Sequence, residues 1–320
     1  MAVAKLRQVR RRIRTVQSTK KITRAMELIA ASRIVKAQQR VAAARPYSEE
    51  ITKVIANLAS GGTDHPLLTK REEAAKVGIV VLTADRGLAG GYNSNVIRTA
   101  ESRIRSFESE GGPGGTGVSP GDRSYELFLV GRKANGYFRY RGYAIKGAYT
   151  GMSDTPSYED ARQVAGEVMA AYEAGEVDLV EVAYTQFLSA STQRPVLRRL
   201  LPVEGFDGEG QDKPGGRSAD GEQAPAAGYE FEPEEPAAIL DRLLPRYVEA
   251  RLFAAMLDAS ASEHAARQRA MKSATDNADD LIKTLTRVAN RARQAEITTE
   301  IMEIVGGAEA LRQSDEEEEE

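Results

Sequence analysis

Two stretches of this 320-residue chain are almost free of helix breakers, and they lie at its two ends. The first runs from Val3 to Leu58 with no proline before Pro46, and the second from Pro245 to Leu311 with none after its start. At about 1.5 Å per residue these are rods of roughly 80 and 100 Å, far longer than a compact domain requires. Propensity alone does not hold helices of that length in water; each needs a partner face. The simplest arrangement pairs the two ends as an antiparallel two-helix coiled coil, with the residues between them forming a globular α/β domain.

Composition removes several classes of function. The chain has no cysteine, so neither a disulfide framework nor a thiolate metal site is available. His65 and His264 are the only imidazoles, which excludes a multi-histidine metal centre. The basic N-terminus lacks the apolar core of a secretory signal, and no run of about 18 apolar residues could span a bilayer. The expectation is a soluble cytoplasmic protein that meets a membrane only through a partner.

Charge placement says more than net charge. Residues 1–40 hold twelve bases (Lys5, Arg7, Arg10, Arg11, Arg12, Arg14, Lys20, Lys21, Arg24, Arg33, Lys36 and Arg40) against a single acid, Glu27. Such a face suits an acidic partner, whether nucleic acid, lipid surface or protein; the plainer reading is a solvated charged face. The closing run from Asp315 to Glu320 is expected to be disordered and solubilising.

Apolar spacing sketches the coiled-coil seam. Leu6, Val9, Ile13 and Val16 are spaced 3-4-3, and after a stutter Ile22, Met26 and Ile29 continue. In the second helix Ala274, Ala278, Leu281, Leu285, Val288, Ala292 and Ala295 make a narrow Ala-rich stripe. The middle changes period: 77–83, 126–130 and 177–187 are β-rich, with 196–203 a weaker fourth run. Helical stretches at 93–108, 133–141 and 158–175 separate them, which implies a mainly parallel, doubly wound, Rossmann-like sheet over 75–204. Two Gly- and Pro-rich segments, 109–122 and 205–228, read as flexible insertions, and Pro245 suits the first turn of the last helix. The expected domains are therefore helix 1–60, the α/β domain 75–204, a flexible re-entry segment 205–235, helix 236–312 and an acidic tail 313–320. No internal repeat is present.

Candidate sites are few. Asp85 to Asn93 reads DRGLAGGYN, a Gly-rich run between strand and helix where phosphates bind in nucleotide folds. It lacks the Gly-Lys-Ser/Thr of a P-loop and the GxGxxG spacing, so a tight turn is the better reading. Gly131-Arg132-Lys133 repeats the pattern with bases. No nucleophile–base constellation emerges, and Glu300 with Glu303 reads as a solvated or ion-paired carboxylate pair. Arg293-Gln294 beside the seam is different: a planar guanidinium next to an amide suits carboxylate and hydroxyl acceptors on another chain.

Here a family resemblance enters. Residues 297–310, ITTEIMEIVGGAEA, resemble the C-terminal signature of the gamma subunit of rotary F-type ATP synthases, matching at Ile297, Thr298, Glu300, Glu303, Gly307, Ala308 and Ala310. MKSATDNA (271–278), RARQ (291–294), KITRAMELI (21–29), Ala31-Ser32-Arg33 and the DRGLAGGYN run are similar to the same family, in order along nearly the whole chain. The resemblance implies a coiled-coil rotor inside a ring of three alpha and three beta subunits, with the Rossmann-like domain beside the epsilon subunit and the membrane c-ring. It implies no catalytic residue, no cofactor, no bound metal and no nucleic acid, and a peripheral place on the cytoplasmic face of a bacterial plasma membrane. By position, Arg293 and Gln294 match residues that hydrogen-bond a beta-subunit loop. Met26 sits where the rotor passes acidic beta-subunit loops, so Lys20, Lys21, Arg24 and Arg33 would face carboxylates. Tyr229, Phe231 and Glu232 resemble the segment resting on the c-ring. The insertions depart from shorter family members. The rival from another class is a basic coiled-coil protein that binds nucleic acid or an anionic membrane, recognisable by steeply salt-dependent binding.

Overall fold

The computed structural model describes residues 2–59, 65–69, 71, 74–110, 123–203 and 236–318. Helix α1 (Ala2–Ala59) and helix α5 (Pro236–Glu318) are the two long end segments. Between them lie β1 (Lys76–Leu82), α2 (Tyr92–Glu110), β2 (Ser124–Val130), α3 (Arg132–Tyr140), β3 (Ile145–Tyr149), α4 (Tyr158–Glu173), β4 (Leu179–Phe187) and β5 (Gln193–Leu201). This is the expected class, an α/β sheet domain with long terminal helices. The chain divides into one unit of Met1–Ile29 with Arg269–Glu320 and a second of Ala30–Gln268.

The sheet order is β3-β2-β1-β4-β5, with β1, β2, β3 and β4 mutually parallel and β5 antiparallel to β4. Period-two alternation sends β1 side chains to opposite faces. Val77, Ile79 and Val81 pack with α2 and α3 through Val96, Ile104, Phe107, Ala134 and Phe138. Val80 and Leu82 join the other core, made with α4 (Val164, Val168, Tyr172), Ile51 and Ile55 of α1, and Leu240, Leu244, Val248 and Leu252 of α5. A capping box starts α4: Ser157 accepts from the Asp160 amide, and Asp160 accepts in return from the Ser157 amide.

Several expectations need correction. A fifth strand, β3, was not foreseen because it is short, on the sheet edge and only half buried, leaving little alternation to read. The mainly parallel sheet is as expected, with β5 alone antiparallel at its edge. Helix α5 begins at Pro236, so Pro236 rather than Pro245 stands in the first turn, and Pro245 lies inside the helix as Pro46 does inside α1. An interior proline costs about 3 kcal/mol, and at Pro245 the burial of Leu244, Tyr247 and Val248 in the core offsets it. The helix also runs through the acidic residues to Glu318, because glutamate propagates an existing helix readily. The insertion 205–228 and most of 109–122 lie outside the described residues.

Largely buried Asp258, on α5, accepts from the Phe187 amide near Arg45, and desolvation pushes its carboxyl up to about 7. A folded-state value raised above the unfolded one favours the native state at low pH and withdraws that contribution as pH rises toward 7. Asp258→Asn is expected to flatten the pH dependence of stability between about pH 4 and 7 and to leave the variant more stable than the parent at pH 8. Parallel unfolding curves for the two proteins across that range would contradict the assignment.

Candidate functional site

The crevice beyond the carboxyl ends of β1 and β4 is where the connection order reverses and where doubly wound sheets bind ligands. It is occupied by the chain itself. Ser262 of α5 donates to the Thr185 carbonyl at 3.0 Å, and Arg267 reaches the Gly87 carbonyl at 3.3 Å. The position an anion would take at the start of α3 is held by Asp85, whose carboxylate accepts from Arg132 N at 3.1 Å and from Gly151 N at 2.9 Å. DRGLAGGYN is thus a structural turn, as its glycine spacing indicated. Among the described residues no acidic or histidine cluster is placed to hold a metal, and no helix is long and apolar enough to cross a membrane.

The helix pair forms the second candidate. Thr23 and Thr275 share a hydrogen bond of 2.8 Å, and Lys20 pairs with Asp279. Rising numbers in α1 meet falling numbers in α5, so the pair is antiparallel. Burial locates the seam differently from the apolar spacing. In α1 the covered positions are Leu6, Val9, Ile13, Val16, Lys20, Thr23 and Glu27, an unbroken 3-4 alternation with no stutter. Ile22 and Ile29 are more than half exposed. In α5 the covered column is Met271, Thr275, Ala278, Ile282, Leu285, Ala289 and Ala292, whereas Leu281 and Val288 face solvent. The apolar stripe is wider than the seam, so spacing could not say which edge is covered. Apolar side chains therefore remain on the outside.

The candidate contact residues sort as follows. Arg293, Gln294 and Lys21 are exposed, and among the described residues none makes an ion pair; Met26 is half buried. Arg24 forks onto Glu27 at 2.9 and 3.0 Å, Lys20 takes Asp279, and Arg33 takes both oxygens of Asp154. Three of the bases expected to face outside carboxylates thus have acids of their own chain. Ile297, Thr298, Glu300, Glu303, Gly307 and Ala308 are all exposed, with the Thr298 hydroxyl bonded to the Gln294 carbonyl at 2.9 Å. Tyr229, Phe231 and Glu232 lie outside the described residues. Sequence reasoning missed Asp85, Asp154 and the Glu263–Arg267 pair; the last had a signal, an acid four residues before a base on one helix face.

Register explains why the end of α5 is bare. With Lys20 opposite Asp279, the eighteen residues back to Ala2 carry the pairing only to about Ile297. Beyond it Ile301, Met302, Ile304 and Val305 are 54–69% exposed, and among the described residues none of α1 faces them. An apolar face of that kind marks an interaction surface.

A family model described as ATP synthase matches residues 5–311. The ATP synthase gamma chain of Frankia casuarinae is 57% identical over 311 residues, covering 96% of this chain and 97% of that protein. The chain belongs to the ATP synthase gamma family. A second gamma chain, from Mycolicibacterium smegmatis, is 46% identical over 323 residues, covering 96% of this chain and 98% of that one. Among solved structures, a chain of the Euglena gracilis mitochondrial ATP synthase (OSCP, F1 and c-ring, rotational state 3) superposes with a TM-score of 0.60 at 16% identity, over 98% of this chain and 96% of that one. A chain of the Tetrahymena thermophila mitochondrial central stalk and c-ring gives 0.55 at 20% identity, over 79% and 99%. At those identities the likeness concerns the fold. The bare end of α5 lies inside the residues 5–311 that the family model matches, at the stretch 297–310 whose sequence resembles the gamma-family signature.

Proposed function

We propose that this chain is the central-stalk rotor of an F-type ATP synthase. It turns inside a ring of three alpha and three beta subunits and passes torque from a proton-driven c-ring to the catalytic beta subunits. One observation supports the reading: the stretch that resembles the gamma-family signature coincides with an α5 end that exposes Ile301, Met302, Ile304 and Val305 and, among the described residues, faces no partner helix. An apolar collar supplied by other subunits would cover it. In this reading the chain has no catalytic residue, binds no cofactor, and sits peripherally on the cytoplasmic face of a bacterial plasma membrane beside epsilon and the c-ring. On the same reading the α/β domain 75–204 forms the foot and the helices 1–60 and 236–312 form the shaft; Tyr229, Phe231 and Glu232, in the segment 205–235 outside the described residues, are the proposed contacts with the c-ring.

Two unequal helices inside a pseudo-threefold ring touch each beta subunit differently, so rotation cycles the bias among the three catalytic sites. Driving a two-state site from mostly one state to mostly the other takes about 5.5 kcal/mol of differential contact energy. One charge-assisted pair supplies less, so coupling is spread over Arg293, Gln294, Met26, Lys21 and the exposed apolar residues. Arg293→Ala is accordingly expected to lower the proton-pumping-to-hydrolysis ratio several-fold without abolishing it; an unchanged ratio in assembled complex would remove Arg293 from the coupling set. The reading as a whole is tested by stoichiometry, one copy co-purifying with three alpha and three beta subunits. The rival, a basic helix for nucleic acid or anionic lipid, is weakened because Lys20, Arg24 and Arg33 are paired within the chain.

A further inference from the structure

The crevice at the carboxyl edge of the sheet holds a polar network that nucleotide chemistry does not need and that apolar packing could have replaced. Asp154, in the loop between β3 and α4, receives both Arg33 of α1 and two residues of α5. Arg33 Nη1 donates to both oxygens of its carboxylate, Ser260 donates to its carbonyl at 3.0 Å, and His264 Nε2 lies 3.2 Å from the same carbonyl. One turn on, Glu263 and Arg267 form a buried pair at 2.6 Å, 1% and 8% exposed, and Arg267 also reaches the Gly87 carbonyl. Asp85 fastens the receiving loops to one another: its amide donates to Ser153 Oγ at 2.9 Å, and its carboxylate holds the amides of Gly151, Ser153 and Arg132. Three loops of the sheet and both long helices thus meet at one junction.

A buried ion pair is weak evidence for stability, since apolar residues of similar volume commonly serve as well. What hydrogen bonds and charge-assisted pairs add is direction: they hold within narrow limits of distance and angle, whereas apolar contacts are non-directional and tolerate sliding. Apart from Ser262 on the Thr185 carbonyl and Asp258 on the Phe187 amide, the remaining contact of α1 and α5 with the sheet is apolar, through Ile51, Ile55, Leu240, Leu244, Val248 and Leu252. Resistance to twisting the helices against the sheet therefore concentrates at the polar junction.

We infer that the junction of Asp154 with Arg33 and His264, together with Glu263–Arg267 on the Gly87 carbonyl, is the torsional fastening that passes torque between the α/β domain and the two long helices. Asp154, Arg267 and Asp85 are positioning residues in this role, which rests on the rotor reading above. Desolvation lowers the affinity of His264 for a proton and raises that of Glu263, so His264 serves as a neutral hydrogen-bonding group.

The test uses assembled complex immobilised by its alpha and beta subunits, with a rotation probe on one introduced cysteine. The chain has no cysteine of its own, and Tyr140, 89% exposed on α3, offers a labelling point on the α/β domain. Exposed Lys272 on α5 provides a second point on the helices. With the probe at Tyr140→Cys, Asp154→Ala and Arg267→Ala are each expected to widen the angular variance during ATP-waiting pauses at least twofold. The variance read at Lys272→Cys and the rate of ATP hydrolysis stay within twofold. Arg267→Lys keeps a charge for Glu263 but loses the fork to Gly87, so it should widen the Tyr140→Cys variance less than Arg267→Ala; it also decides the matter if the alanine variants do not assemble. Unchanged variance at Tyr140→Cys in assembled variants overturns the inference. Equal widening at both probes overturns it too, because the compliance then lies elsewhere. A parent complex whose probe does not rotate refutes the rotor reading instead.

Discussion

Substituting Gly131 by Ala is expected to destabilise the α/β domain by roughly 2–5 kcal/mol, the sum of the left-handed backbone cost and overpacking in a closed turn. Gly131 has φ +96°, and a Cβ there would lie 2.2 Å from the Thr83 carbonyl oxygen. The turn cannot open to make room. Gly131 N donates to the Tyr149 carbonyl at 2.8 Å, Thr83 Oγ donates to the Val130 carbonyl at 3.0 Å, and the next amide, Arg132, is held by Asp85. Gly142 is the matched control, since it also has positive φ, +76°, but nothing within 4 Å of its Cβ position. Gly142→Ala should cost only about 1–2 kcal/mol, the backbone part alone. Denaturant unfolding of both variants separates strain from collision, and equal losses would mean that the turn relaxes.

Arg103→Ala is expected to cost about 3–5 kcal/mol, because it leaves a buried carboxylate without its base. Arg103 of α2 and Glu181 of β4 are each 8% exposed and meet at 2.5 Å within the apolar layer that packs α2 on the sheet. The guanidinium also lies over the Phe107 ring, 5.7 Å from its centre, so truncation removes packing as well as charge. The double variant Arg103→Met with Glu181→Leu should recover to within about 1 kcal/mol of the parent or exceed it, because both desolvation costs disappear together. A double variant no better than Arg103→Ala would mean that the pair is needed for specificity of strand or helix placement.

The two terminal helices, the α/β class and four of the five described strands were legible, because long Pro-free runs and β-branched clusters survive without tertiary information. What failed did so for physical reasons. The seam was drawn through Ile22 and Ile29 because they are apolar, yet the buried positions are Thr23 and Glu27, whose side chains are satisfied by Thr275 and Arg24. A polar group becomes buriable only when a partner is in place; for Thr23 that partner lies 252 residues away, and for Glu27 it is Arg24 one turn earlier. Asp154 is equally silent: an acid in a loop acquires meaning only when Arg33 and His264 arrive from opposite ends of the chain. At Arg293 and Gln294 the structure confirms exposure and nothing more.

The self-occupied crevice has a consequence for biosynthesis. One face of the sheet is completed by Leu240, Leu244, Tyr247, Val248 and Leu252, and the crevice by Ser262 and Arg267, all from the last third of the chain. While the ribosome is still making that third, β1 to β5 already exist with one face partly bare and with edges open to mispairing. The sheet must therefore wait for its own C-terminal helix, and the interval before release is when the nascent chain most needs a chaperone or an already assembled neighbour.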